Sequence, residues 1–192
     1  MRLLLVLAIS VLSFVPNSFA TDHEGKQLYH RDCVVCHGAD GSGQTALGKK
    51  LKPRPAADLR PKILSRSEMI QTIRSGRERT GMHGHAERLS DAQIHALVEY
   101  VLSFPFKADP VSGKQVFQRL CSRCHGVDAR GKPQLGAPNL ILSELSDIEL
   151  AKSIRNGHEQ TIMGPFKSEL SNADIGNIIA WLRLKRYGLL TE

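Results

Sequence analysis

Apolar positions recur with a helical period near the end of each half of the chain. Ile94, Leu97, Val98, Val101 and Leu102 form one stripe, and Ile175, Ile178, Ile179 and Leu182 form a second. Each stripe predicts an amphipathic helix. Ser90-x-x-Gln93 opens the first, and Ser171 stands at the equivalent place before the second. Upstream, Ser65-x-x-Glu68 and Ser146-x-x-Glu149 are capping boxes, in which the serine hydroxyl and the acid three residues on satisfy each other's backbone N–H groups. They predict two further helices, with Gly76 and Gly157 placed to end them. No segment alternates convincingly as a strand does, so the fold class is all-α. Ahead of the capped helices lie Gly/Pro-containing loops of about 27 and 20 residues, and loops that long in so small a unit wrap something.

The pattern is written twice. EGKQLYHRDCVVCHG at 24–38 returns as SGKQVFQRLCSRCHG at 112–126, an offset of 88. The segment from Ile73 returns from Ile154, an offset of 81. The first copy therefore carries seven extra residues, within GADGSGQTALGKKLKPRPAADLRP. The division expected is a unit at 22–106, a linker at 107–110 and a unit at 111–190. Two prolines around the linker make it stiff, so the units sit side by side. Residues 1–20 read differently: Arg2, an apolar run from Leu3 to Val15 and Ser18-Phe19-Ala20 make a secretory signal peptide with its cut after Ala20. The apolar run is short for a membrane span, so a soluble periplasmic product is expected, with an uncleaved anchor as the alternative.

Aromatic residues are 5% of the 192, thin for two independent cores. Some other apolar body has to complete the interior. The formal charge of +7 is spread over both halves and suits an acidic partner. Without a basic stripe interleaved with aromatics it is no nucleic-acid footprint. Lys49, Lys50, Lys52 and Arg54 form a basic run in the enlarged loop, either a docking patch or a solvated loop.

All four cysteines lie in CVVCH (Cys33 to His37) and CSRCH (Cys121 to His125). In an exported chain two disulfides would be the default. The histidine after each pair points elsewhere. Two thiols three residues apart on a helical turn share a face and can add to the two vinyl groups on one haem edge, while the adjacent imidazole meets the iron. A zinc site would need four converging ligands, yet the pairs head separate repeats. A dithiol oxidoreductase needs one pair in a βαβ context. Two covalent haem c groups, on Cys33 and Cys36 and on Cys121 and Cys124, also supply the missing core.

With CxxCH, a glycine and an aromatic eight and four residues before its first cysteine (Gly25 and Tyr29; Gly113 and Phe117) and a late methionine, each half resembles a class I cytochrome c domain. The whole is similar to a tandem di-haem cytochrome of the cytochrome c4-like kind. The resemblance implies that first and last helices cross at the glycine, with Tyr100 and Trp181 as the aromatics of that crossing. It implies His37 and His125 as proximal iron ligands and methionine as the sixth. Met82 and Met163 share the 81 offset, whereas Met69 aligns with Leu150 in a capped helix and reads as packing. His83 and His85 compete with Met82, but loop histidines are mostly exposed, so Met82 is kept. His23, His30, His95 and His158 read as surface residues. The resemblance further implies a loop carbonyl for the proximal imidazole: Pro138 in the second copy, Pro53 or Pro55 in the first. The function implied is single-electron transfer, with a quinol-oxidising complex or dehydrogenase upstream and a terminal oxidase or reductase downstream. The alternatives are a carrier subunit of a larger oxidoreductase, or a di-haem peroxidase or sensor with one open site.

Overall fold

The computed structural model describes residues 18–189. The expected signal peptide lies outside the described residues apart from Ser18–Ala20. Eight α-helices follow in order: α1 (Ser18–Asp32), α2 (Val34–His37), α3 (Arg66–Ser75), α4 (Asp91–Ser103), α5 (Pro110–Leu120), α6 (Ser122–His125), α7 (Asp147–Asn156) and α8 (Asn172–Arg186). Short 3-10 turns lie at Gly48–Lys50, Pro133–Leu135 and Leu140–Leu142. Among the described residues there is no strand, only two isolated bridges. The all-α expectation holds, and so does the duplication: α1–α4 and α5–α8 repeat one plan.

The caps form as the sequence predicts. Ser65 with Glu68, Ser90 with Gln93 and Ser146 with Glu149 close reciprocal boxes, and Ser171 does so with Asp174. Gly76 and Gly157 end α3 and α7 at φ 71° and 69°.

In each half the first and last helices cross backbone to backbone. A Cβ on Gly25 would lie 2.2 Å from the Ala96 carbonyl oxygen, and one on Gly113 would lie 2.1 Å from that of Asn177. Real side chains never approach so closely, so these glycines set the crossing. Aromatics fill the space beside it: Tyr29 and Tyr100 at 5.3 Å, Phe117 and Trp181 at 4.6 Å between ring centroids.

Two cores result. The first joins Leu28, Tyr29, Leu89, Ile94, Leu97 and Phe104. The second gathers Val116, Phe117, Leu150, Ile175, Ile178, Ile179, Trp181 and Leu182, and it takes in Ile63 from the enlarged loop of the first half. Met69, expected to pack like Leu150, is half-buried and stands outside the first core, whereas Leu150 is buried in the second.

The enlarged loop fastens the halves together. Arg54 Nη1 donates to the Lys167 carbonyl at 2.5 Å, and Asn172 Nδ2 donates to that of Asp58 at 2.8 Å. Phe106 and Pro61 press on α8 where Gly176 leaves room.

Gly113→Ala is expected to lower the unfolding free energy by about 1–3 kcal/mol, because the added methyl forces α5 and α8 apart. Gly164→Ala, which meets nothing within 4 Å, should leave it nearly unchanged. Urea titration of the two variants checks this.

Candidate functional site

The crossing helices deliver the two pentapeptides into equivalent turns. Cys33 caps α2 and Cys121 caps α6, and the chain turns out of each at a glycine with positive φ, Gly38 at 78° and Gly126 at 77°. Gly43 N–H and Gly131 N–H then return to the carbonyls of His37 and His125, both at 2.8 Å. Tyr29, fully buried, donates its hydroxyl to the Gly38 carbonyl at 2.7 Å and ties the first turn to α1.

No cysteine is in a disulfide. Burial pushes the thiols of Cys33 and Cys121 up to about 11, so both are neutral thiols at neutral pH in the unloaded chain. Each imidazole is anchored at Nδ1: His37 to the Ala57 carbonyl at 3.1 Å and His125 to that of Pro138 at 3.3 Å. That fixes the tautomer and leaves Nε2 free for a metal. Burial also holds the His37 imidazole below its ordinary value, favouring the neutral, ligating form.

Pro138 is as expected. The first copy differs: the carbonyl belongs to Ala57, neither to Pro53 nor to Pro55. The register explains it. AADL at 56–59 matches APNL at 137–140 at the 81 offset, and the N–H groups of Leu59 and Leu140 both close on the loop, at Gly41 and Ala129. The insertion lies wholly before Ala57.

The methionine loops are also alike. Arg77 N–H donates to the Met82 carbonyl at 2.9 Å and His158 N–H to that of Met163 at 3.0 Å. Thr80 Oγ1 accepts from Met82 N–H and Thr161 Oγ1 from Met163 N–H, both at 3.2 Å. These threonines were not singled out from the sequence, although Thr-x-Met is common to both copies. Gly76 and Gly157 permit the return, since a Cβ there would lie 2.5 Å from the Met82 and 2.4 Å from the Met163 carbonyl oxygen. Both methionines are half-buried.

These residues fit a covalent haem in each half: two free thiols on one turn, an imidazole with Nε2 available, a methionine on a return loop, and part-buried apolar side chains at the edge of each core. The latter are Leu59, Ile70 and Ile73 in the first half, and Leu140, Ile141, Ile154 and Phe166 in the second.

Family models agree with that fit. One described as "Cytochrome c" matches residues 23–105, and one described as "Cytochrome C oxidase, cbb3-type, subunit III" matches 108–182. The chain is a tandem di-haem class I cytochrome c. Each domain binds a covalently attached haem c, and Cys33/Cys36 and Cys121/Cys124 are the cysteine pairs of the two domains. Among curated relatives, the cbb3-type cytochrome c oxidase subunit CcoP of Rhodobacter capsulatus is 30% identical over 143 residues, 62% of this chain and 44% of the relative. Subunit FixP of Bradyrhizobium sp. (strain ORS 278) is 30% identical over 152 residues, 70% of this chain and 51% of the relative. The chain thus spans about half the length of these relatives. Among solved structures, reduced recombinant cytochrome c4 from Pseudomonas stutzeri matches 84% of this chain and 97% of its own at 21% identity, with a TM-score of 0.33.

The two cytochrome domains differ beside the methionines. His83 is exposed, as are His23, His30, His95 and His158. His85 is not an exposed loop histidine: it is buried, its Nδ1 3.0 Å from Arg88 Nη2. It stands where the second domain has Phe166, and Asp32, whose charge reaches it, stands where the second has Leu120. A polar cluster of Asp32, His85, Arg88 and Arg31 thus replaces an apolar pair.

Burial and the Arg88 guanidinium hold His85 below its ordinary value. As pH falls below about 6.5 the unfolded chain takes up this proton first, so the folded first domain loses stability on acidification. His85→Phe should flatten that slope just below pH 6.5, which urea titrations at stepped pH would measure.

Proposed function

We propose that this cytochrome is a periplasmic one-electron carrier of a bacterial respiratory chain, with His37/Met82 and His125/Met163 as the axial ligand pairs. The observation that carries the reading is the identical return of the two methionine loops, each locked by a threonine and by the residue after the helix-ending glycine. A fortuitous methionine has no reason to repeat that lock.

When bound, haem c supplies a one-electron iron couple whose potential methionine ligation raises. His37 and His125, held at Nδ1, present Nε2 in one tautomer. With Met82 and Met163 as the second protein ligands, the iron would offer no place to a small molecule, which favours a carrier over a peroxidase or sensor. The part-buried apolar residues keep water from the sites. Beside the attachment turns, Val35 and Val127 are 59% and 68% exposed, and Ile162, next to Met163, is 74% exposed. They offer a partner apolar contact near each site.

Similarity to oxidase subunits CcoP and FixP supports a terminal oxidase as the electron acceptor, with a quinol-oxidising complex or dehydrogenase as donor. It also favours a second reading, in which the chain works as a carrier subunit within a larger oxidoreductase. Export rests on the apolar N-terminus. Among the described residues no helix is long and apolar enough to cross a membrane.

The test is carbon monoxide binding to the dithionite-reduced protein. The wild-type spectrum should not change. Met82→Ala and Met163→Ala should each open one site, so that about half the haem responds in either variant. A wild-type response, or a bis-histidine signal in paramagnetic resonance of the ferric protein, would replace Met82 as ligand.

A further inference from the structure

Two successive carbonyls, those of Ala57 and Asp58, are held from the two sides of the domain boundary. The Ala57 carbonyl accepts His37 Nδ1–H at 3.1 Å, and the next carbonyl along the chain, that of Asp58, accepts Asn172 Nδ2–H at 2.8 Å from the first residue of α8 in the other domain. The Asp58 carboxylate is itself fastened. Its Oδ1 accepts Arg60 Nε–H at 2.9 Å and its Oδ2 accepts Arg60 Nη2–H at 2.7 Å, in a residue only 9% exposed. With both carbonyls and the side chain of Asp58 engaged, the plane that meets the imidazole has little freedom to rotate.

Among the described residues, no side chain of the first domain holds the Pro138–Asn139 segment in the same way. Asn139, the counterpart of Asp58, uses its own side chain locally, accepting Ile141 N–H at 3.0 Å. The counterpart of Asn172 is Asp91, which cannot donate and instead pairs with Arg74 at 2.7 Å within its own domain. At position 172 the second domain has an amide in place of that acid, and the amide reaches across the boundary. Arg155, the counterpart of Arg74, is left to act on Glu68 of the first domain, whose carboxyl it helps to hold down.

We propose that Asn172 is a positioning residue for the first haem site, acting from the second domain through Asp58 to orient the Ala57 carbonyl that receives His37 Nδ1–H. The strength of that bond governs how electron-rich the imidazole is as an iron ligand. Docking of the second domain is therefore read at the first site. This rests on the reading of His37 as an axial ligand.

The experiment uses the full haem-loaded chain with Asn172→Asp. The replacement keeps shape, removes the donor, and suits the first turn of a helix. Two quantities are read: the reduction potential of each haem by spectroelectrochemistry, and exchange of the His37 and His125 Nδ1 protons by NMR. The first potential should move and the second stay. His37 Nδ1–H should exchange about fivefold faster, the factor that loss of one hydrogen bond implies, with His125 unaffected. Asn172→Gln, which keeps a donor, should recover most of both changes. Unchanged exchange at His37 overturns the proposal, and so does an equal shift of both potentials, which would mean general loosening of the interface. The methionine-to-iron absorption band of the wild type reports the ligand set separately, so a failed ligand assignment is not mistaken for a failed coupling.

Discussion

Everything at the two sites depends on the absence of one side-chain atom per domain. At Gly25 and Gly113 the first and last helices touch backbone to backbone. That contact fixes where α1 and α5 end, and Cys33 and Cys121 follow immediately. The attachment turns inherit their position from it. The aromatic pairs beside each crossing consolidate the approach, and Tyr29 extends it to the turn through the Gly38 carbonyl. The imidazole, its loop carbonyl and the returning methionine are then arranged beside each turn, and the haem c of each domain completes the core there. The thinness of the aromatic content has its explanation there.

The duplicated plan is broken where the domains meet and where the first domain lines its site. The second core is the larger, and it includes Ile63, which the sequence assigns to the other half. The first has fewer buried apolar residues and places a polar cluster where Leu120 and Phe166 stand in the second. Buried apolar area is the main source of stability in domains this small. The loop that contains the seven inserted residues serves the docking of the two domains: it carries Arg54 to Lys167, Pro61 to α8 and Ile63 into the neighbouring core.

Much of this is legible in the amino-acid sequence. Helices announced by paired capping signals and apolar stripes formed where expected, because local hydrogen bonding and burial favour the same conformation there. The cysteine pairs are visible because covalent haem attachment requires them, and the repeat shows them, the histidines and the methionines twice. What escaped has different causes. A carbonyl acceptor has no side-chain signature, so prolines drew attention from Ala57, although the 81-residue register already leads to it. His85 looks like a loop histidine because its polar neighbour Asp32 comes from a distant segment, α1, and only Arg88 is close in sequence. Met69 matched Leu150 in register, yet register does not specify depth. Ile63 stands in register with the polar Glu144, so the repeat gives no sign that it enters the neighbouring core.

The asymmetry also bears on how two similar sites can be made unequal. Two domains with the same ligand types and the same loop locks would hold haem at similar potentials, leaving an electron little reason to favour either. The proposed ligands are costly to vary, since each would have to keep hold of the iron. The residues that differ lie one layer out: Asn172 for Asp91, His85 for Phe166, Asp32 for Leu120. Each changes hydrogen bonding or charge beside a site while leaving the proposed ligands in place. A duplicated chain can thus diverge in potential through residues that touch neither haem-bound sulfur nor iron, and the domain boundary is where such a change is available to one site alone.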